Sequence, residues 1–229
     1  MNAMTPAASF LQPGLFDPAP IRAWPFAPLQ PQAYDFIMAD PPWRFELYSA
    51  KGEGKSAQAH YATMTLDDIA ALPVADLARG NCLMWLWATA PMLDQQIAIL
   101  KRWGFRFVTS GVWVKKTVTG KTDFGTGYVL RSAHEPFLIG AIGEPETSRC
   151  VRSVVEGMRR EHSRKPDEAY EEAGRLMPTA RRRADLFSRE SRPGWEAWGN
   201  ETGKFDASLS ATGDSAARSR PPVASKQGG

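Results

Sequence analysis

Cysteine is scarce in this chain, and it has no long apolar runs. The 229 residues include two cysteines, Cys82 within an apolar run and Cys150 far from it. Two are too few for a disulfide framework or a cysteine zinc site, so we expect a reducing, cytoplasmic setting and no metal. No stretch approaches the roughly 18 apolar residues of a membrane-spanning helix. The first residues also lack the pattern of a secretory signal, so we expect no membrane partner.

Charge of one sign does not dominate either. Lys and Arg total 28 against 25 for Asp and Glu, a net charge of +3, too small an excess to predict nucleic-acid binding by itself. Basic residues do bunch between Arg149 and Arg192. They offer phosphates a local positive surface, or they form a solvated helix face whose arginines pair with Glu168, Glu171 and Glu172. On charge alone, both interpretations stay open.

Composition divides the chain into three parts. Residues 1–20 are proline-rich without a clear period and predict an irregular arm, and residues 205–229 have few large apolar side chains and predict a disordered tail. In the domain between them, residues 21–204, short apolar runs alternate with helical patterns. The predicted strands are 34–39, 82–89, 105–116, 136–143 and 183–189, and the predicted helices are 65–72, 91–104 and 166–177. This order predicts an α/β fold with a mostly parallel sheet and helices on both faces.

The first predicted strand ends in Asp40, Pro41, Pro42 and Trp43, where ligands of such sheets bind. Prolines lack an N–H and hold φ near −65°, so we expect a stiff loop whose carbonyl groups point outward without a ladder partner from a neighbouring strand. The Asp40 carboxylate and the Pro41 carbonyl can each accept one hydrogen of an exocyclic amine. Trp43 supplies a flat surface on which the base can stack.

Such an acceptor pair suits methyl transfer to a ring amine. The lone pair of an adenine or cytosine amine is delocalised, so the nitrogen is a poor nucleophile. Acceptors that stabilise the positive charge developing on nitrogen lower the barrier more in the transition state than in the ground state. A sulfonium-type electrophile can then pass on a methyl group. The plain alternative is an ordinary turn, because aspartate and proline both favour turns.

The segments around this loop resemble the mRNA N6-adenosine methyltransferase family, the MT-A70 type, in its compact bacterial and phage form. The resemblance runs from about Tyr34 to Glu201 in one order, and it includes "DPPW", "HYATMTLDDI", "WLWAT", "GVWVKK", "TGYVLRSAHEPFLIGAIG", "SRKPDEAYEEAGRLMP", "ADLFSR" and "GWEAWGNE". It implies the Rossmann-like fold of S-adenosylmethionine-dependent methyltransferases. It also implies methyl transfer to N6 of adenine in nucleic acid, DNA more than RNA, by a cytoplasmic, nucleoid-associated protein. The sequence leaves the oligomeric state open, and a homodimer is one option.

The resemblance assigns roles to matching positions. Its catalytic loop corresponds to Asp40, Pro41, Pro42 and Trp43. The residues it places around S-adenosylmethionine are Asp40, Pro41, Lys165, Phe187, Arg189, Asn200 and Glu201, with the last two on the ribose hydroxyls. The residues it places towards the target nucleotide are Trp43, Tyr61, Lys115, Arg131 and Glu135. Plain alternatives are a helix cap for Lys165, a surface ion pair for Arg189 and packing for Tyr61.

The chain departs from the better-known eukaryotic members of that family. The segment "SRESRPGW" is shorter and lacks a His-Asn pair after the pocket arginine, and Glu201 stands where those members have glutamine. The glycine-rich "FGTG" at 124–127 follows several strands, so we interpret it as a substrate loop. We expect residues 46–60 to form a gate over a flipped base.

Other functions stay open. Two acceptors for an exocyclic amine do not distinguish adenine from cytosine, or DNA from RNA. RNA adenosine methylation and cytosine-N4 methylation are therefore alternatives. A non-catalytic nucleic-acid-binding subunit of the same fold is another. Such subunits typically lose the acidic residue that heads the four-residue loop, which this chain retains as Asp40.

Overall fold

The computed structural model of the chain describes residues 23–43, 63–125, 127, 129–160 and 164–206. Within them, the strands are β1 Tyr34–Ala39, β2 Ala78–Trp87, β3 Arg106–Lys116, β4 His134–Ile142, β5 Val154–Met158, β6 Arg183–Leu186 and β7 Glu196–Trp198. The α-helices are α1 Leu66–Ala70, α2 Leu93–Arg102 and α3 Asp167–Leu176. The predicted arm, the predicted gate and residues 207–229 of the predicted tail lie outside the described residues.

The strands form one sheet in the order β5-β3-β4-β2-β1-β6-β7. Four of its strand pairs are parallel, and β4 is antiparallel to both neighbours, β2 and β3. The prediction of a mostly parallel sheet is therefore confirmed. The reversal of β4 follows from its connection, because a loop without a crossover helix joins it to β3 and leaves the two strands antiparallel.

Alternate side chains of β1 enter two separate cores. Ile37 and Ala39 pack in the core that contains residues of α1 and α2. Phe36 and Met38 pack in the core that contains residues of α3. Successive side chains of a strand point to opposite faces, so helices cover both faces, as predicted. Burying each of the larger side chains contributes about 1.5–3 kcal/mol.

Local signals in the sequence set the ends of two helices. The Thr65 hydroxyl accepts a hydrogen bond from the Asp68 N–H at 3.1 Å, which caps α1. Helix α2 begins slightly later than predicted, because Pro91 lies in a separate 3-10 turn at Ala90–Met92. Gly104, with φ of +87°, follows the end of α2, a backbone conformation that glycine adopts at little cost.

Two edge strands, β5 and β7, were not predicted. Each is parallel to one neighbour, β5 to β3 and β7 to β6. They are five and three residues long, too short for a reliable alternation of apolar and polar residues. Their stability comes from backbone hydrogen bonds to strands elsewhere in the chain, which leave no local signal.

Strand β1 lies where the strand order reverses, with β2 on one side and β6 on the other. Because β1 and β6 are parallel, their carboxyl ends lie side by side, with Met38 opposite Asp185 and Ala39 opposite Leu186. The Asp40 N–H continues the contact by donating to the Leu186 carbonyl at 3.2 Å. The loops that leave such a pair in opposite directions open a crevice in which α/β proteins bind ligands.

Candidate active site

The four-residue loop after β1 is held by its own backbone. The Trp43 N–H donates to the Pro41 carbonyl at 2.8 Å, and the Pro42 carbonyl accepts from the Met64 N–H at 3.1 Å. The Pro42 carbonyl thus has a partner across a parallel bridge, contrary to the prediction, whereas the Pro41 carbonyl accepts only within the loop. A carbonyl oxygen has two lone pairs, so the Pro41 oxygen still has one acceptor position for a ligand.

Trp43 fastens this loop to the sheet. Its side chain lies in the core beside α1 and α2 and is 5% exposed. The indole N–H donates to the carbonyl of Trp87, the last residue of β2, at 3.0 Å. The ring in this arrangement has no open face for a base, which corrects the stacking role predicted for Trp43. Its contacts instead fix the position of Asp40 three residues earlier.

Four side chains of alternating charge run from Asp40 to β3. Lys165 Nζ lies 2.9 Å from Asp40 Oδ2 and 2.8 Å from Glu135 Oε1. Glu135 Oε2 lies 3.1 Å from Lys115 Nζ. We call these four residues the charge row. The Lys165 side chain is 6% exposed, compared with 27% for Asp40 and 30% for Lys115. Lys165 is thus the buried centre of the row, and each of its two neighbours carries the opposite charge.

Burial and pairing compete in setting the pKa values of the charge row. Burial raises the pKa of Asp40, against the lowering effect of the Lys165 ammonium. Burial alone would raise the pKa of Glu135, but the two lysines lower it. Burial alone would likewise lower the pKa of Lys165, but Asp40 and Glu135 raise it. Lys165 therefore stays charged at neutral pH. Of the two acids in the row, Asp40 is protonated more easily than Glu135.

A cleft opens beside Asp40 at the carboxyl ends of β1 and β6. The empty space between its walls, which includes open solvent, is about 330 Å³. It is lined by Asp40, Arg164, Lys165, Tyr170, Asp185, Phe187, Ser188, Arg189, Glu190 and Arg192. Both signs of charge face it, so its walls suit a zwitterionic ligand.

The cleft brings together most of the predicted cofactor residues. Those that line it are Asp40, Lys165, Phe187 and Arg189. Glu201 joins the group through Arg189, whose Nε lies 3.2 Å from Glu201 Oε2. Asn200 is exposed, next to Glu201 but not in the cleft wall. Pro41 directly follows Asp40 in the loop.

The residues predicted to face the target nucleotide are more scattered. Glu135 and Lys115 belong to the charge row. Arg131 lies on the β3–β4 loop, where its guanidinium sits 4.4 Å from the centre of the Phe124 ring. Tyr61 lies outside the described residues. The predicted set therefore divides between the charge row and the β3–β4 loop.

Sequence reasoning missed an acid in the cleft wall, Asp185 on β6. It is 2% exposed, and its Oδ2 lies 2.9 Å from the hydroxyls of both Tyr170 and Ser188. Burial raises the pKa of Asp185 to about 7, against the lowering effect of these hydrogen bonds. Its position near the carboxyl end of a strand was a signal for it. Tyr170, on α3, carried no such signal.

The sequence profile of the MT-A70 family matches residues 34–201, the span that contains the charge row and all the residues that line the cleft. The chain belongs to the MT-A70 family. The resemblance predicted from the motifs and the Rossmann-like α/β fold it implied are confirmed.

Named relatives of this MT-A70 protein are methyltransferases. The N(6)-adenosine-methyltransferase MT-A70-like of Arabidopsis thaliana is 33% identical over 177 residues, which cover 73% of this chain and 24% of the relative. The human N(6)-adenosine-methyltransferase catalytic subunit METTL3 is 29% identical over 175 residues, 72% of this chain and 27% of the relative. The type II methyltransferase M.MunI of Mycoplasma sp is 29% identical over 194 residues, 77% of this chain and 81% of the relative. The MT-A70 protein thus spans about a quarter of the plant and human relatives but most of M.MunI.

One side of the MT-A70 cleft depends on a close approach between two backbones. Phe187 has φ of +62° and Gly199 has φ of +155°, values that are unusual for residues with side chains. A Cβ atom at Gly199 would lie 2.9 Å from the Phe187 Cα. Only glycine therefore lets the segment after β7 reach the cleft wall, and this contact positions Asn200 and Glu201.

Many of the bunched arginines in the MT-A70 protein are ion-paired. Arg175 pairs with Glu172 at 2.7 Å, as one of the two interpretations of the basic stretch expected. Arg160 pairs with Asp167, also at 2.7 Å. Arg192, which lines the cleft, contacts Asp167 too. For these residues the ion-paired interpretation is favoured over a free phosphate-binding surface.

Among the described residues, no group of three or more His, Cys, Asp or Glu side chains is placed to hold a metal ion. In the same part of the chain, no helix is both long and apolar enough to cross a membrane. Cys82 is buried and Cys150 exposed, and both are free thiols.

Proposed function

We propose that this MT-A70 protein transfers a methyl group from S-adenosylmethionine to the exocyclic N6 amine of adenine in nucleic acid, with DNA as the favoured polymer. One observation carries the proposal: Asp40 is a carboxylate fixed in the lining of a charged cleft, where the carboxyl ends of β1 and β6 lie side by side. The names of the plant and human relatives support the N6 position of adenosine. The motifs of the MT-A70 family support the methyl donor.

The cleft fits the amino-acid end of this donor, which carries one ammonium and one carboxylate. Asp40 offers a carboxylate to the ammonium, and Lys165 and Arg189 offer cations to the carboxylate. Arg192 adds a buried Nε–H that has no partner among the described residues. At the other end of the donor, we assign the ribose hydroxyls to Asn200 and Glu201, with Phe187 and Pro41 completing the wall.

The chain's own residues then prepare the amine. Lys165 holds Oδ2 of Asp40 at 2.9 Å, which leaves Oδ1 to accept one amine hydrogen, while the Pro41 carbonyl accepts the other. Bound S-adenosylmethionine supplies a methyl group on a positively charged sulfur. Its sulfur–carbon bond would break as the new nitrogen–carbon bond forms, and it would leave as a neutral thioether. The nitrogen then gives up one proton, for which Asp40, with its raised pKa, is the nearest carboxylate acceptor.

Exposed side chains on the β3–β4 loop support the proposal that the substrate is a nucleic-acid polymer. Phe124 is 54% exposed and has Arg131 over its ring, and both stack well on nucleic-acid bases. Val129 and Leu130 are also exposed on this loop. The loop begins directly after β3, the strand whose Lys115 closes the charge row, so it lies on the same side of the sheet as Asp40. We assign Glu135 and Lys115 to the target nucleotide.

The preference for DNA is supported by the match to the type II methyltransferase M.MunI and by the motifs. The match of the chain covers 81% of M.MunI, against 27% of METTL3. The motif resemblance likewise pointed to compact bacterial and phage members. Adenine in a duplex must be flipped out before its amine can reach Asp40, at a cost of a few kcal/mol.

The test is to identify the product. Purified protein is incubated with S-adenosylmethionine and, in separate reactions, duplex DNA, single-stranded DNA and RNA of mixed sequence, and the digested nucleosides are analysed by mass spectrometry. We expect N6-methyldeoxyadenosine from DNA, and none with Asp40→Ala. N4-methylcytosine would contradict the base, and methylation of RNA alone would contradict the polymer. Absence of any methylated nucleoside would contradict the enzymatic function.

A further inference from the structure

We infer that Asp185 binds the ammonium group of the methyl donor's amino-acid end, opposite Asp40. The inference rests on the function proposed above, since it assigns one more ligand contact in the same cleft. It concerns a residue outside the four-residue loop, one that lies within the segment "ADLFSR" but to which the resemblance assigned no role.

Asp185 is the acid of the cleft wall that lacks a cation. Asp40 is paired with Lys165, and Glu190 contacts both Arg164 and Arg192. Among the described residues, no lysine or arginine nitrogen lies within 4 Å of Asp185. Its recorded partners are two hydroxyl groups, those of Tyr170 and Ser188, and both meet the same oxygen, Oδ2.

The two hydroxyls do not supply enough hydrogen-bond donors to stabilise the ionised form of Asp185. A hydroxyl carries one proton, and Ser188 Oγ also lies 2.8 Å from the Glu190 carbonyl, so Ser188 can donate to only one of these acceptors. A buried carboxylate without a full set of donors is costly when it is ionised. A ligand ammonium against Oδ1 would supply the missing charge and up to three donors.

The groups facing Asp185 favour a cation there. Asp40 approaches from the end of β1 and Tyr170 from α3, while Arg192 approaches from the segment before β7. The negative charge of Asp40 raises the pKa of Asp185, and Arg192 lowers it. Arg192 is already held by Asp167 and Glu190. Two carboxylates that disfavour each other's ionisation are both stabilised by one ammonium between them.

Calorimetric binding with two probes separates this role from a structural one. S-adenosylhomocysteine carries the ammonium, whereas 5′-methylthioadenosine lacks the whole amino-acid end. Asp185→Asn keeps an acceptor for Tyr170 and Ser188 but loses the charge. We expect it to weaken S-adenosylhomocysteine by about 10- to 100-fold, the worth of a charge-assisted hydrogen bond. Binding of 5′-methylthioadenosine should change by less than about threefold.

Proton linkage gives a second readout without turnover. Below pH 7 the ammonium must displace a proton from Asp185, so the wild type should release protons on binding at pH 6, measured in buffers of different ionisation enthalpy. Its affinity should rise between pH 5.5 and 7.5. Asp185→Asn should show a smaller release and a flatter profile. Asp94→Asn, an exposed acid on α2, removes the same charge from a helix that contributes no residue to the cleft lining and should behave like the wild type.

The outcomes are distinct. Equal weakening of both probes by Asp185→Asn would make Asp185 a purely structural acid and overturn the inference. Unchanged binding of S-adenosylhomocysteine would overturn it as well, and thermal melting of the variant checks that it is folded. In both cases the proposed function would stand. If the wild type binds neither probe, the proposed function fails and the inference fails with it.

Discussion

Replacing Lys165 by methionine tests whether the charge row is held together from its centre. Methionine keeps the length of the apolar stem and removes the charge. Lys165 is 6% exposed and lies within 3 Å of one oxygen on each of two carboxylates, at 2.9 and 2.8 Å. Removing one partner of a buried ion pair costs about 3–5 kcal/mol, because the other charge is left uncompensated. Glu135 keeps Lys115, and Asp40 is partly exposed, so we expect about 3 kcal/mol, the lower end.

The assay is urea denaturation at pH 7.5, with Lys115→Met as the matched control. Lys115 is 30% exposed and makes one ion pair within the row, so its loss should cost less than about 1 kcal/mol. Adding Asp40→Asn to Lys165→Met should recover part of the loss, because the orphaned charge is then gone. Equal free energies of unfolding for the two lysine variants would refute the reasoning.

Three further outcomes follow from the structure. Asp185→Asn should stabilise the fold by up to about 4 kcal/mol at pH 8 but not at pH 4. The pKa of Asp185 in the wild type rises from 3.8 to about 7 on folding, so the wild type loses stability as the pH rises through about 7. A difference in the free energy of unfolding that does not depend on pH would be inconsistent with this prediction. Gly199→Ala should lower the melting temperature more than Gly120→Ala. Both glycines have positive φ, but only at Gly199 would an added Cβ lie against Phe187. Equal shifts in melting temperature would argue against this close contact. Phe124→Ala should weaken single-stranded DNA binding by about 1–3 kcal/mol in fluorescence anisotropy if its ring stacks on a base, and unchanged affinity would remove Phe124 from the interface.

Elements with strong local signals could be predicted from the sequence. The run at Tyr34–Ala39 is a strand, and the threonine at 65 caps a helix, because both depend on residues close together in the chain. The alternation of strands and helices also predicted the layers of the fold. The edge strands β5 and β7 escaped prediction, since their partners are remote in sequence.

The cleft could be predicted only in part. The motif resemblance identified Asp40, Lys165 and Arg189, which the structure places in one wall. It did not show that Lys165 would bridge Asp40 and Glu135, because that contact joins three segments through the sheet. Side-chain direction was a second limit, since alternation in a strand says nothing of how Trp43 turns in the loop beyond it.

The central claim is that the Asp40 carboxylate activates an exocyclic amine for methyl transfer. The most direct test is single-turnover methylation of DNA by the wild type and by Asp40→Asn, with S-adenosylhomocysteine binding measured in parallel. We predict that the variant loses at least about 100-fold in the rate of methyl transfer at saturating S-adenosylmethionine, while it still binds S-adenosylhomocysteine with an affinity lowered by about 10- to 100-fold, because Asp40 also faces the donor's ammonium. A variant rate within about threefold of the wild type would contradict the claim.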